Sequence, residues 1–498
     1  MIISLSVLVI TIIVSGTYAL YKAQLSKNIG VNTTTHGLAY YINYVKGTDI
    51  TAATLNPSTS YESGASSDIE FWKKDDSYDI YGKIDLTVNT IGTNLKNSPA
   101  LKYAVVNNGN VLSTGSLKGT TSGSKVTILK NLYLEQTKQI YTVYVWLDNS
   151  EELGNISNES LSISVDCTAS LQKEPAADTI ISLYTNASKT AVTNNGKDYN
   201  TAPSVSLMND RLGGTTTDLD GGNIRYYGAS PNNYIYFNCS DYSNQTSSTC
   251  ETWRIIGVFD GKLKLIRGSQ IGKYSWDNKN ISTGAEDDRG KNDWTTARLM
   301  KLLNPDDYYI NDNNDKDSEG NYLGYSLYYN SASGMCFTDE GVNYSACDFT
   351  STGIKNDETR NMIAETTYNL GGWNDTGVYP NEIYEYERGT TVYTGRPTTW
   401  TGKIALAYPS DYGYAADLNQ CKQTLANYDN STCTSNNWMK AIITDNGSNH
   451  GWLLTPDSSY SFGAWYSHGN VGEYFTGAAR GAVPVLSLSS KLGIESGD

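Results

Sequence analysis

Between about residues 28 and 168 the chain alternates apolar and polar positions in short runs. In "YGKIDLTVN" (81–89), Ile84, Leu86 and Val88 fall on one face and Lys83, Asp85 and Thr87 on the other. That two-residue period is the signature of a half-buried strand. "SLSISVDC" (160–167) repeats it, with Leu161, Ile163, Val165 and Cys167 together. "QIYTVYVWLD" (139–148) is apolar on both faces and predicts a central strand. The turn-forming stretches "NNGN" (107–110) and "SGSK" (122–125) separate these runs. Several strands at this spacing within about 140 residues predict a β-sandwich.

From residue 169 to about 205 no period persists. Ser, Thr, Asn and Ala predominate, and the segment is expected to be a linker with one short helix around "ADTIISLY" (177–184). Beyond residue 206 the pattern becomes α+β. "NDWTTARLMKLLNP" (292–305) puts Trp294, Ala297, Met300, Leu302 and Leu303 on one helical stripe, with Asn292 or Asp293 as cap and Pro305 as stop. "NDETRNMIAETTYNLGG" (356–372) predicts a second helix, capped by Asn356 or Asp357 and ended by Gly371 and Gly372. Strands are expected at "TWRIIGVF" (252–259), "KLKLIRG" (262–268), "KIALAYP" (403–409) and "VPVLSL" (483–488). No internal repeat is visible.

Residues 2–21, "IISLSVLVITIIVSGTYALY", carry no charge. Such a run matches the length a helix needs to cross a bilayer, or it is a secretory signal in which Thr17-Tyr18-Ala19 offers small residues to a peptidase. Lys22 and Lys27 follow the run and no basic residue precedes it, against the positive-inside rule. The expected fold class is therefore multidomain: an N-terminal transmembrane or signal helix (1–24), an all-β sandwich (28–168), the linker (169–205) and an α+β domain (206–498).

Composition narrows the function. The 498 residues have a net charge of −15, 18% charged residues and 39 tyrosines. Nucleic acid is excluded, because its binding needs a basic footprint. The polar, tyrosine-rich surface suits the outside of a cell. Six of the seven cysteines form local couples, Cys239 with Cys250, Cys336 with Cys347, and Cys421 with Cys433. Three disulfides in an oxidising compartment are expected, other pairings among the six remaining open. Cys167 falls on the inward face of its strand and is expected to be a small buried hydrophobe.

Two resemblances add to this reading. "VSGTYALYKAQLSKN" (14–28) and "IYTVYVWLDN" (140–149) resemble the export region and a late strand of camelysin and TasA-type secreted proteins of Gram-positive bacteria. The resemblance implies a secreted sandwich that can serve as a matrix or fibre subunit. Camelysin relatives are sometimes called metallopeptidases, but no HExxH occurs and His36 is the only histidine before residue 450. In the later region "NYIYFNC", "CETWRIIGV", "TGRPTTWTGKIALAYPSDYGYA", "NNWM" and "GWLLTPDSSYS…GAVPVLSL" look like the C-type-lectin-like domains shared by formylglycine-generating enzymes and variable ligand-binding proteins. Val483 stands where relatives carry Arg, and Arg480 lies three positions earlier. The enzymatic branch needs a reactive cysteine pair near the C-terminus, and no cysteine follows Cys433. The resemblance thus implies a non-catalytic, lectin-like head.

Other candidate chemistry is thin. His450 and His468 lie eighteen residues apart without further ligand-type neighbours, and "HGN" (468–470) predicts a tight turn. No GxSxG elbow supports a serine triad. "GGWND" (371–375) lacks the lectin order of calcium ligands, so Asn374 and Asp375 are expected in a turn after a helix. "DNNDKDSEG" (312–320) offers Asp312, Asp315 and Asp317 as weak calcium candidates, although an EF-hand register from Asp315 puts Ser326 where the bidentate Glu belongs. In "AWYSHGNVGEYF" (464–475), alternation places Trp465 and Ser467 on one face, Tyr466 and His468 on the other. With Trp465 inward, Tyr466, His468 and Tyr474 become the candidate ligand-binding residues.

The sequence thus points to a surface-displayed or secreted bacterial binding protein that recognises an extracellular glycan or protein, is held to the membrane by its N-terminal helix and calls for no cofactor. The alternative is a structural subunit of an extracellular matrix; an exported hydrolase is least supported.

Overall fold

Ile84, Leu86 and Val88 are each fully buried, as their alternation predicts, and they sit in the longest strand of the first of two compact units, which divide at Pro175/Ala176. The computed structural model describes residues 42–489, apart from 52–54, 56, 75–79, 155, 157–158, 171–175, 212–221, 243, 280–284, 286–287 and 339–342. The expected N-terminal helix (1–24) and His36 lie outside the described residues. Among the described residues no helix is long and apolar enough to cross a membrane.

Among its described residues the first unit holds ten strands: β1 (Ile42–Val45), β2 (Ile50–Thr51), β3 (Pro57–Ser58), β4 (Ala65–Lys73), β5 (Tyr81–Ile91), β6 (Leu101–Asn107), β7 (Asn110–Ser116), β8 (Lys125–Tyr133), β9 (Ile140–Asp148) and β10 (Leu161–Ser170). One sheet runs β1-β4-β9-β6-β7, with β3 joining β9, and the other β2-β10-β5-β8. The two share one core, in which Phe71, Val105, Val143 and Val145 meet Ile84, Leu86, Val88 and Val165. This is a β-sandwich. The doubly apolar 139–148 run is the central strand β9. Asn108 and Gly109, both at positive φ, turn the chain from β6 into β7. Cys167 lies opposite Ile84, buried and free, and burial pushes its thiol pKa up.

The short helix expected around 177–184 forms, and the rest of the expected linker, to about residue 205, is corrected. A helix, α1 (Ala176–Asn186), is followed by a hairpin, β11 (Thr190–Asn194) and β12 (Lys197–Ala202), that begins the large sheet of the second unit. Alternate burial of Val192, Asn194, Tyr199 and Thr201 gives these polar-looking strands an inner face. The sheet continues with β13 (Leu207–Asn209), β14 (Ile224–Tyr226), β15 (Tyr234–Phe237), β16 (Glu251–Phe259) and β17 (Lys262–Arg267). Next come β18 (Lys273–Ser275), α2 (Arg298–Leu303), β19 (Ser333–Phe337), β20 (Tyr344–Asp348), α3 (Asp357–Met362), β21 (Thr366–Asn369) and α4 (Pro380–Glu387). The chain then forms β22 (Thr399–Gly402), β23 (Ile404–Ala405), α5 (Pro409–Tyr414), α6 (Ser431–Ser435) and α7 (Lys440–Ile443). It closes with β24 (Gly451–Pro456), β25 (Gly463–Ser467), β26 (Val471–Phe475), β27 (Ala479–Gly481) and β28 (Val485–Ser487).

The large sheet has the order β11-β12-β13-β14-β16-β17-β28-β23, with β15 added on β16, and a second sheet runs β18-β27-β24-β25-β26. Two predicted helices are shorter than expected. Asp293 does not cap a helix: its carboxylate accepts from Thr295 and the chain turns until α2 starts after Ala297. Asn356 caps α3 as predicted, accepting from the Thr359 amide at 2.9 Å. That helix stops at Met362, because the β-branched Thr366 and Thr367 pair instead with Gly402 and Thr401. Gly371 and Gly372 therefore follow a strand. The three disulfides join Cys239–Cys250, Cys336–Cys347 and Cys421–Cys433. Such staples are typical of proteins exported to oxidising surroundings.

Candidate functional site

The candidate residues lie on the second sheet, whose inner face fixes what its outer face presents. Every residue of β24 is buried. Trp452 is fully buried and donates its indole N–H to the Tyr274 carbonyl at 2.9 Å; Trp465 on β25 is equally buried and donates to the Trp373 carbonyl at 3.1 Å. With Trp465 and Ser467 inside, the pleat turns Tyr466 outward, half-buried, and leaves His468 exposed. Gly469, at φ +101°, makes the turn between β25 and β26, and its carbonyl accepts from the Tyr412 hydroxyl at 2.6 Å. Gly472 lies opposite Tyr466; a Cβ there would come within 3.1 Å of the tyrosine ring, so glycine leaves room for that ring to lie across β26. Tyr474 is 42% exposed and packs edge-on to Tyr466.

The fold adds two residues that the sequence did not single out as partners. His450 stacks parallel on Tyr466 with ring centroids 5.1 Å apart, and its ring lies 4.1 Å from that of His468. Arg480 on β27 is 8% exposed and its guanidinium lies 3.9 Å from the Tyr466 ring centre and 4.3 Å from that of Tyr474. Its Nη1 contacts Nδ1 of His450, while Nε has no partner. Burial lowers the His450 pKa, and Arg480, His468 and Lys273 lower it further. The ring is thereby kept neutral, with Nδ1 accepting from the guanidinium. A cation seated on that nitrogen would face Arg480, and the two histidines lie together at the rim of the cluster.

The cluster is unusual for its charge balance. Arg225, Lys264, Arg267, Arg298 and Lys301 are all buried and each reaches a carboxylate. Arg480 forms no ion pair among the described residues; aromatic faces and one neutral imidazole are its surroundings. A buried charge without a counter-ion is costly. An anionic or strongly hydrogen-bonding ligand group would relieve that cost, and the exposed edge of Tyr474 supplies a stacking surface beside it.

The three weak calcium candidates are engaged by groups of the protein itself. Asp315 is fully buried and accepts from Arg298 at 2.8 Å, Lys301 at 3.2 Å and the Tyr325 hydroxyl at 2.8 Å. Asp312 pairs with Lys279 at 2.6 Å, and Asp317 accepts the amides of Glu319 and Asn321. Cationic side chains and backbone amides occupy the oxygens that calcium would need. Asp375 of "GGWND" accepts the Gly377 amide in a turn, as expected, but the turn follows β21 and its loop.

Among the described residues of the second unit, three carboxyls titrate high. Burial pushes Asp277 up to about 6 and Glu387 up to about 7; Glu473 lies on the exposed side of β26, where partial desolvation, with Asp457 and Asp375 beside it, raises it to about 8. Each folded pKa lies above the unfolded value, so the folded state holds a proton that the unfolded chain releases. The stabilisation is complete below the unfolded pKa and is lost as pH rises through the folded one. For Glu473 the window runs from about 4.5 to about 8. The melting temperature of the Glu473→Gln variant, measured against wild type by calorimetry, is expected to gain on wild type steadily across that window. A difference that does not vary with pH would contradict the assignment.

No family model and no curated protein matches the chain. Among solved structures, a chain described as a crystal structure of an HCR/D mutant is similar at 12% identity, covering 52% of this chain and 76% of its own, with a TM-score of 0.16. A similarity of that size carries no argument about fold or activity.

Proposed function

We propose that this is an exported or surface-displayed binding protein, without catalysis, in which the second unit is a lectin-like head that recognises an extracellular glycan or protein. The first unit acts as the sandwich that carries it, and the N-terminal segment links it to the membrane. The observation that carries the reading is the ion-pair-free guanidinium of Arg480, held between Tyr466 and Tyr474 beside His450 and His468. Flat aromatic faces around a rigid donor array suit a pyranose ring or an extended polar side chain. The three disulfides fit export. The lectin-like assignment draws on the resemblance of "GWLLTP" and "VPVLSL", which form β24 and β28.

The test is binding of the full chain to a glycan array, repeated with Tyr466→Ala and Tyr474→Ala. Each substitution is expected to weaken any array ligand at least tenfold, about 1.4 kcal/mol. Unchanged binding by both variants would put the ligand elsewhere. A matrix-subunit role has one observation in its favour: β7 is a sheet-edge strand with no buried residue, exposing Val111 and Leu112, and such edges can pair with another chain.

A further inference from the structure

A second buried guanidinium lacks a carboxylate, and it lines a pocket. Arg254 on β16 is 8% exposed. It donates from Nε to the side-chain carbonyl of Asn233 and from Nη2 to the Pro231 carbonyl at 3.2 Å, both neutral acceptors. Its Nη1 has no hydrogen-bond partner among the described residues, and the nearby Glu251 carboxylate is taken by both forks of Arg267 and by the Trp253 indole. The planar group lies 3.9 Å from the Tyr234 ring centre and 4.8 Å from that of Trp438. Burial lowers its pKa, the direction expected of a cation denied a counter-charge.

The pocket has a volume of about 350 Å³; Tyr234, Thr252, Arg254 and Ser269 line it, together with the Glu251–Arg267 ion pair, whose charges offset each other. That volume sits near the lower end of the ~300–1,000 Å³ range of small-molecule sites. Register explains the aromatic wall: Tyr234, 57% exposed on edge strand β15, stands opposite Arg254 and presents its ring beside the cation. Stacking rings, hydroxyls and a fixed guanidinium at one small cavity define a recognisable chemistry.

We infer that the Arg254 pocket is a second binding site, separate from the Tyr466–Arg480 rim, for a monosaccharide-sized sugar bearing a carboxylate. The carboxylate takes the counter-ion position at Nη1, the ring lies on Tyr234, and Thr252 and Ser269 meet the sugar hydroxyls. A neutral hexose supplies the ring contacts without the charge, whereas an acidic amino-acid derivative supplies the charge without the ring.

Titration calorimetry of the full chain with D-glucuronate, D-glucose and N-acetylglutamate tests this. Glucuronate is expected to bind, with glucose weaker by at least tenfold and N-acetylglutamate weaker as well. Arg254→Gln should weaken glucuronate at least tenfold and erase its preference over glucose. Because Arg254 is buried, Tyr234→Ala is the companion variant: its exposed side chain can be removed without opening the core, and at least a tenfold loss is again expected. Arg480→Gln should leave glucuronate binding unchanged, which separates this site from the rim. Equal binding of glucose and glucuronate, full retention by Tyr234→Ala, loss in Arg480→Gln, or preference for N-acetylglutamate would each overturn the assignment.

Discussion

Replacing Asp411 with alanine is expected to destabilise the second unit by roughly 3–5 kcal/mol, the penalty for stranding buried charges. Asp411 is 1% exposed and accepts from Arg225 at 2.9 Å and from the Lys264 ammonium. It also accepts the Tyr408 amide at 3.0 Å, tying the start of α5 to the sheet. Burial alone would raise its pKa; Lys264 and Arg225 outweigh it and hold the carboxyl below its ordinary range. Without Asp411, Lys264 loses its carboxylate, while Arg225 keeps Asp210. The double variant Asp411→Leu/Lys264→Met removes one charge of each sign and leaves the Arg225–Asp210 pair. It should recover most of the loss in urea unfolding. A single variant within about 1 kcal/mol of wild type would show that the network contributes little.

Removal of the Cys421–Cys433 bridge should cost about 3 kcal/mol, the chain-entropy value for a loop of roughly a dozen residues. Both sulfurs are fully buried within the core that also contains Leu425, Tyr428, Trp438 and Trp465, so the cross-link packs as well as constrains. Reduction of all three bridges should lower the denaturant midpoint further than this one pair does. A thiol assay reports on the same state: the native protein should show none, because Cys167 is buried with a raised pKa, and the unfolded, unreduced chain should show one. More than one thiol in the unfolded, unreduced chain would mean that a bridge is missing.

Local signals carried much of the first unit. The alternation of 84–88 and 161–167 survives folding, as does the central position of 140–148, because period-two patterning is set by residues adjacent in sequence. Three loops short enough to close locally led to the right cysteine partners. The pattern failed where long-range pairing decided the outcome. Thr366 and Thr367 continue an apparently helical stretch, but their partners lie more than thirty residues later in β22. The polar run 190–202 looked like a linker because only alternate positions are buried, and its inner face includes Asn194 and Thr201.

The rim divides the same way. Turning Trp465 inward was sufficient to place Tyr466 and His468 outside. Arg480 and His450 joined them through strand neighbours, β24 beside both β25 and β27, that no short window contains. The Arg254 pocket was invisible for the same reason, since it needs the register of β15 on β16. "YIY" carried the one signal available: two tyrosines on the outer face of an edge strand. The charge balance of the acidic loop 312–320 was not legible in the loop itself, because Arg298, Lys301 and Lys279, which neutralise it, come from elsewhere in the chain.

The central claim is that the Tyr466–Arg480 rim binds a ligand while the protein performs no chemistry on it. The most direct measurement is glycan-array binding of the full-length wild-type protein beside the Arg480→Gln variant, with the bound glycans recovered and analysed by mass. The account predicts defined array ligands, at least tenfold weaker in the variant, recovered without mass change. Array ligands bound equally by both proteins, or recovered cleaved, would contradict it.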